Sequence, residues 1–182
     1  MMVNIIIGIV AAVVVLYIIV WAISTLNRFR TMLVKISEAD SGIDVALTRR
    51  YDVLKKMLDV TKGYAKFEAE VMTQVIRLRA GMSTAEKSEA SRCMDEIVGK
   101  FNVLVENYPE LKASESFMRL KSAINDAEQC LQGARRSYNM NVSRYNQAIV
   151  VFPNSIIAGN TYTAKEFFMA DDAKRESVDM AF

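Results

Sequence analysis

The chain has 182 residues and a net charge of only +2, room for one modest domain with or without a membrane segment and no global field suited to nucleic acid. It contains no histidine, which removes the commonest general base and the commonest metal ligand together. Two prolines and seven glycines in the whole sequence predict long uninterrupted helices, an all-α fold.

The first element is "VNIIIGIVAAVVVLYIIVWAISTL", Val3 to Leu26, without a charged side chain. As a helix it would extend roughly 36 Å, enough to cross a hydrocarbon core of about 30 Å. A buried core helix of this length would carry a polar face. A cleaved signal peptide would carry a positive start, a shorter apolar run and small cleavage residues. The reading is an uncleaved transmembrane anchor over residues 1–26. Arg28, Arg30 and Lys35 follow the span and no basic side chain precedes it. The positive-inside rule then places the N-terminus outside and the remainder in the cytoplasm.

Residues 27–152 read as a cytoplasmic antiparallel bundle of three to four long helices. Asn27 to Asp40 continues the membrane helix and offers Phe29, Leu33 and Ile36 as a packing face. From Ile43 to Leu78 the stripe is Leu47, Tyr51, Leu54, Leu58, Thr61, Ala65, Met72 and Val75, with Gly63 inside it. Gly81 closes that segment, and "STAE" from Ser83 opens the next as a capping box. Ala90, Met94, Ile97, Phe101, Leu104 and Tyr108 form its stripe, and Pro109 ends it. A third helix starts near Ser114 to Ser116 and carries Phe117, Leu120, Ile124, Ala127, Leu131, Ala134, Tyr138, Tyr145, Ile149 and Phe152 up to Pro153. Cys93 and Cys130, without a C-x-x-C partner, read as small core residues.

Two features on this frame suggest specific contacts. Tyr138-Asn139 and Tyr145-Asn146 repeat seven residues apart, so both pairs face one direction of the helix. With Asn125 and Gln132 upstream they form an amide line expected to zip the third helix to a neighbour, because a buried amide finds its hydrogen bonds in one register only. Arg49-Arg50 beside Tyr51-Asp52, and Arg135-Arg136, are expected to make interhelical ion pairs with Asp44, Asp52 or Glu128. A basic surface for anionic lipid, extended by Lys55 and Lys56, is the alternative. Residues 153–182 read as a partly ordered C-terminal extension. Ile156, Ile157, Phe167 and Phe168 are too apolar for a solvated tail and are expected to clasp the bundle or a neighbouring subunit.

No G-x-G-x-x-G, P-loop, H-E-x-x-H or G-x-S-x-G motif occurs, so neither catalysis nor a cofactor is expected. The chain resembles the LemA family of bacterial membrane-anchored proteins. The resemblance rests on "IDVALTRRYDVLKKMLDVTKGYAKFE" (Ile43–Glu68), "NYPELKASESFMRLKSAI" (Asn107–Ile124), "RRSYNMNVSRYNQAIVVFPNSIIAG" (Arg135–Gly159) and the tail "FFMADDAKRESVDMAF". It implies an N-out anchor with a cytoplasmic bundle of long helices at the bacterial inner membrane, and it supplies no established activity. Some relatives are associated with magnetosome membranes, which implies membrane organisation. The chain departs from the family where a tryptophan usually precedes the Ile43-Asp44 region and here "EADSG" stands. It also has Lys55-Lys56 where Pro-Asn is common. The expected function is a non-enzymatic scaffold acting on itself, as a homo-oligomer, or on protein partners, with membrane lipid as its other partner.

Overall fold

The computed structural model describes residues 1–61 and 81–168. It is all-α among these residues, in the order α1 (Met2–Thr61), α2 (Thr84–Asn107), α3 (Pro109–Ala113), α4 (Glu115–Val150) and α5 (Asn154–Ala158). The expected face residues Ala65, Met72 and Val75, with Gly63, lie outside the described residues.

The apolar N-terminal segment, its continuation and the start of the first bundle helix are one 60-residue helix, α1. A β-branched run such as Ile5 to Val20 has modest helical propensity in water. In hydrocarbon the preference reverses, because a helix satisfies every main-chain polar group within itself. No proline and only one glycine, Gly42, fall between Leu26 and Thr61, and the apolar steps keep helical period from Ile43 onward, so the helix continues through Leu26 and Asp40.

Local chemistry sets the other ends. At the start of α2 the Ser83 hydroxyl accepts the Glu86 N–H at 3.2 Å, and the Glu86 carboxylate accepts the Ser83 N–H at 2.7 Å, forming the predicted capping box. Tyr108 ends α2, its N–H turning back to the Val105 carbonyl at 3.3 Å, and Pro109 occupies the first turn of the short helix α3. Gly159 ends α5 at φ +47°, a conformation that costs glycine little and other residues more.

The chain divides into two compact units. Unit 1 comprises Met1–Glu38 and Met140–Glu166; unit 2 comprises Ala39–Asn139 and Phe167–Phe182. In unit 2, Leu54, Met57 and Leu58 of α1 pack with Met94, Ile97, Phe101 and Val105 of α2, Leu111 of α3, and Phe117 and Ile124 of α4. Each large side chain buried this way contributes about 1.5–3 kcal/mol before ordering entropy is counted. The register follows from polar pairs. Lys87 meets Asp40 and Asp44, while Arg50 meets Ser91 and Asp95, so α1 and α2 step in the same direction there. Arg50 also meets Glu128, and Tyr138 meets Thr84, so α4 runs against α2.

In unit 1, Phe29 and Ile36 of α1 are buried along with Val142, Tyr145, Ala148 and Ile149 of α4 and Ala158 of α5. Phe152, expected on the stripe, is instead 76% exposed. α4 ends two residues earlier, at Val150, so the helical period no longer sets its direction.

Candidate interaction site

Two kinds of specific polar contact stand out among the described residues, the first inside unit 2 and the second made separately within each unit. The first is a charge network in unit 2. Arg50, 3% exposed, lies on the apolar stripe of α1, at the 3–4 steps Ile43, Leu47, Arg50, Leu54. Its guanidinium pairs with Asp95 and, at 3.0 Å, with Glu128, and it reaches the Ser91 hydroxyl at 3.4 Å. Arg135 of α4 donates to the same hydroxyl. One arginine thus joins α1 to α2 and to α4, as the planar fork of guanidinium permits.

Lys87 of α2, 1% exposed, is paired by Asp40 and Asp44, each at 2.7 Å. Burial alone would lower its pKa, but hydrogen bonds to the two aspartates and their charges outweigh it and raise the value above 10.5. A buried ammonium with two carboxylates keeps its charge. Of the expected arginine partners, Glu128 joins Arg50, while Asp44 goes to Lys87 and Asp52 is exposed. Arg49 and Arg136 are exposed, and Tyr51 is half-buried.

Lys87, Ser91 and Asp95 were missed by sequence reasoning. The signal was present: Lys87, Ala90, Met94, Ile97 and Phe101 keep steps of three and four, so a lysine stood at a core position of the stripe. A buried charge on such a stripe requires a partner of opposite sign.

The second arrangement fastens the C-terminal extension. In unit 1 the Asn146 side chain donates to the Lys165 carbonyl at 2.9 Å and accepts the Lys165 N–H at 2.8 Å. Beside it the Tyr145 hydroxyl donates to the Thr163 carbonyl at 3.2 Å, and Tyr162 packs on Phe29 with ring centroids 5.0 Å apart. In unit 2 the Asn139 side chain does the same for Phe168, donating at 3.0 Å and accepting at 2.8 Å. The buried Phe168 ring lies under the Arg135 guanidinium, 4.9 Å from its carbon to the ring centroid.

Each asparagine therefore offers a peptide group to a peptide group, as a neighbouring strand would. It recognises main chain, and the identity of the held residue is free to serve packing. The amides bond to the extension and not to a neighbouring helix. Gln132 bonds within α4, to Glu128 at 2.8 Å, and Asn125 is exposed. Of the apolar tail residues, Phe168 is buried, Ile157 half-buried, and Ile156 and Phe167 exposed.

The basic residues after the span, Arg28, Arg30 and Lys35, are all exposed, as are Lys55 and Lys56. The cysteines depart from the expectation of core positions: Cys93 is half-buried and Cys130 exposed. Cys130 stands one residue before the inward Leu131 and three after the inward Ala127, on the exposed side of α4. Among the described residues no group of three or more cysteine, aspartate or glutamate side chains is placed to hold a metal ion.

Comparison with known proteins agrees with the resemblance drawn from the motifs. A family model described as the LemA family matches residues 39–182. A curated relative, Protein LemA of Metamycoplasma hominis, is 31% identical over 152 residues, covering 80% of this chain and 69% of the relative.

Proposed function

The chain belongs to the LemA family, and we propose that it is a non-enzymatic, membrane-anchored interaction protein that scaffolds itself or partner proteins at the bacterial inner membrane. One observation carries this reading. The apolar start of α1 is long enough to cross a membrane, and none of its 18-residue apolar window is buried by the rest of the protein. A surface of that size in water would drive aggregation; in a bilayer it is matched. The exposed Arg28, Arg30 and Lys35 support an N-out, C-in orientation.

What α1 carries into the cytoplasm is a set of contact surfaces. The buried Arg50 and Lys87 and the half-buried Asn139 and Asn146 all join one element to another, which supports a structural role over a reactive one. The test has two parts. Alkaline carbonate should leave the protein in the membrane fraction, and mass measurement after gentle detergent extraction should show more than one copy or a bound partner. Release by carbonate would overturn the anchor; a strict monomer without partners would overturn the scaffold.

The exposed basic cluster after the span favours a second reading, an anionic-lipid-binding module. Binding of residues 27–182 to liposomes would then depend on anionic lipid and weaken with salt.

A further inference from the structure

Unit 1 carries an apolar surface besides the N-terminal span. Val150 at the end of α4, Val151 and Phe152 in the turn and Ile156 in α5 are 68%, 54%, 76% and 69% exposed. They lie inside a run of 20 residues, Tyr145 to Ala164, without an aspartate, glutamate, lysine or arginine. A turn facing water is normally polar, whereas this one gathers four large apolar side chains and no charge.

Contacts inside the unit place this turn along α1. Asn141 of α4 donates to the Lys35 carbonyl at 3.5 Å. Tyr162 packs on Phe29, and the next residue, Thr163, is held by the Tyr145 hydroxyl, so the level of Tyr145 in α4 meets Phe29. Later residues of the α4 side therefore meet earlier residues of α1, and the two run in opposite directions. From Asn141 to Val151 the chain climbs ten residues, about 15 Å. The same rise along α1 from Lys35 ends at Thr25, inside the last turn of the apolar span. Burial agrees: α1 is exposed at every residue from Met1 to Val20, is partly covered at Trp21 and Ala22, and is buried at Thr25 and Phe29.

The charge-free turn thus stands beside the cytoplasmic end of the span, at the depth where bilayer headgroups meet acyl chains. We propose that the α4–α5 turn is a membrane wedge, with Val150, Val151, Phe152 and Ile156 inserted into the lipid at that boundary. Its partner is the bilayer itself, because its apolar surface is continuous in level with that of the span. Exposed apolar side chains on a turn without charge suit burial of roughly 5–10 Å into the interface. A single span is free to tilt, and a second apolar contact on one side of it removes that freedom. The inference rests on the reading of residues 1–26 as a membrane anchor.

Depth measurement on the full chain tests it. Cys93 and Cys130 are replaced by serine, and one cysteine carrying an environment-sensitive NBD group is placed at Phe152, Ile156, Val10 or Lys100. Each protein is reconstituted into phosphatidylethanolamine–phosphatidylglycerol vesicles. Positions 152 and 156 are expected to emit blue-shifted light and to be quenched several-fold more by a shallow lipid nitroxide than position 100. Position 10 is expected to be quenched most by a deep nitroxide. Equal quenching at 152, 156 and 100, with position 10 still quenched, overturns the wedge and leaves the anchor. An unquenched position 10 overturns both.

Discussion

The side chain of Asn146 pairs with both main-chain polar groups of Lys165, accepting its N–H at 2.8 Å and donating to its carbonyl at 2.9 Å. This two-point bond makes the held segment depend on an amide at that position. Asn146→Leu keeps the approximate shape and removes both bonds. The expected loss is about 1–2 kcal/mol of local stability, roughly two ordinary net hydrogen bonds. Hydrogen exchange at the Lys165 amide should quicken by about tenfold or more. Asn146→Asp should not rescue it, since a carboxylate accepts the N–H but faces the carbonyl without a donor. Unchanged exchange in both variants would show that the extension is held by other groups.

Arg50 presents a different balance. It is buried, while the side chains of Asp95 and Glu128 are 25% and 30% exposed. Arg50→Met removes the guanidinium that faces two partly shielded carboxylates and should destabilise the fold by about 2–4 kcal/mol, somewhat below the range for fully buried pairs. The triple variant Arg50→Met, Asp95→Asn, Glu128→Gln should recover much of that loss, because neither side chain that faced the guanidinium is then charged. Arg50→Lys should fall short of wild type, since an ammonium cannot serve α2 and α4 with one rigid fork. Urea denaturation in detergent reads all three. Equal stability of wild type and Arg50→Met would remove the network from any account of the fold.

Lys87 makes stability depend on pH in a known direction. Its folded pKa is raised above 10.5, because the bonds and charges of Asp40 and Asp44 outweigh burial. A group with a raised folded pKa holds its proton more tightly folded than unfolded. Its contribution is fully present below the unfolded value of about 10.5 and fades as pH climbs through the folded value. The stability difference between wild type and Lys87→Met should therefore be flat from pH 7 to 9 and shrink in the alkaline range. A difference that grows with pH would reverse the assignment.

The two cysteines should react at different rates. Cys130 is exposed on α4, whereas Cys93 is half-buried with its thiol pushed up first by burial and then by Glu89 and Glu96. Thiolate is the reactive form, so maleimide should modify Cys130 well before Cys93 at neutral pH. Single-cysteine variants followed by mass spectrometry would show it; faster labelling at Cys93 would contradict the placement.

Much of this molecule was legible one helix at a time. The start of α2 at Ser83 depends on three neighbouring residues, and the end of α4 near Pro153 on one proline, so short-range reading found both. The buried faces of α2 and α4 followed from steps of three and four, from Ala90 to Phe101 and from Phe117 to Ile149. The short helices α3 and α5 escaped notice because five residues show no period.

The apolar span, the all-α class and the inward stripes can be read along the chain, since each rests on local hydrophobicity and period. Tertiary structure decided the partners. Asn139 and Asn146 were visible as paired amides, but only packing turned them to Phe168 and Lys165. Arg50 and Lys87 stood on apolar stripes, but only the register of α1 against α2 gave Arg50 Asp95 and gave Lys87 Asp40 and Asp44. The physical reason is reach. Periodicity tells which way a side chain points along its own helix, whereas a hydrogen bond needs the position, within a few tenths of an ångström, of atoms supplied from another part of the chain.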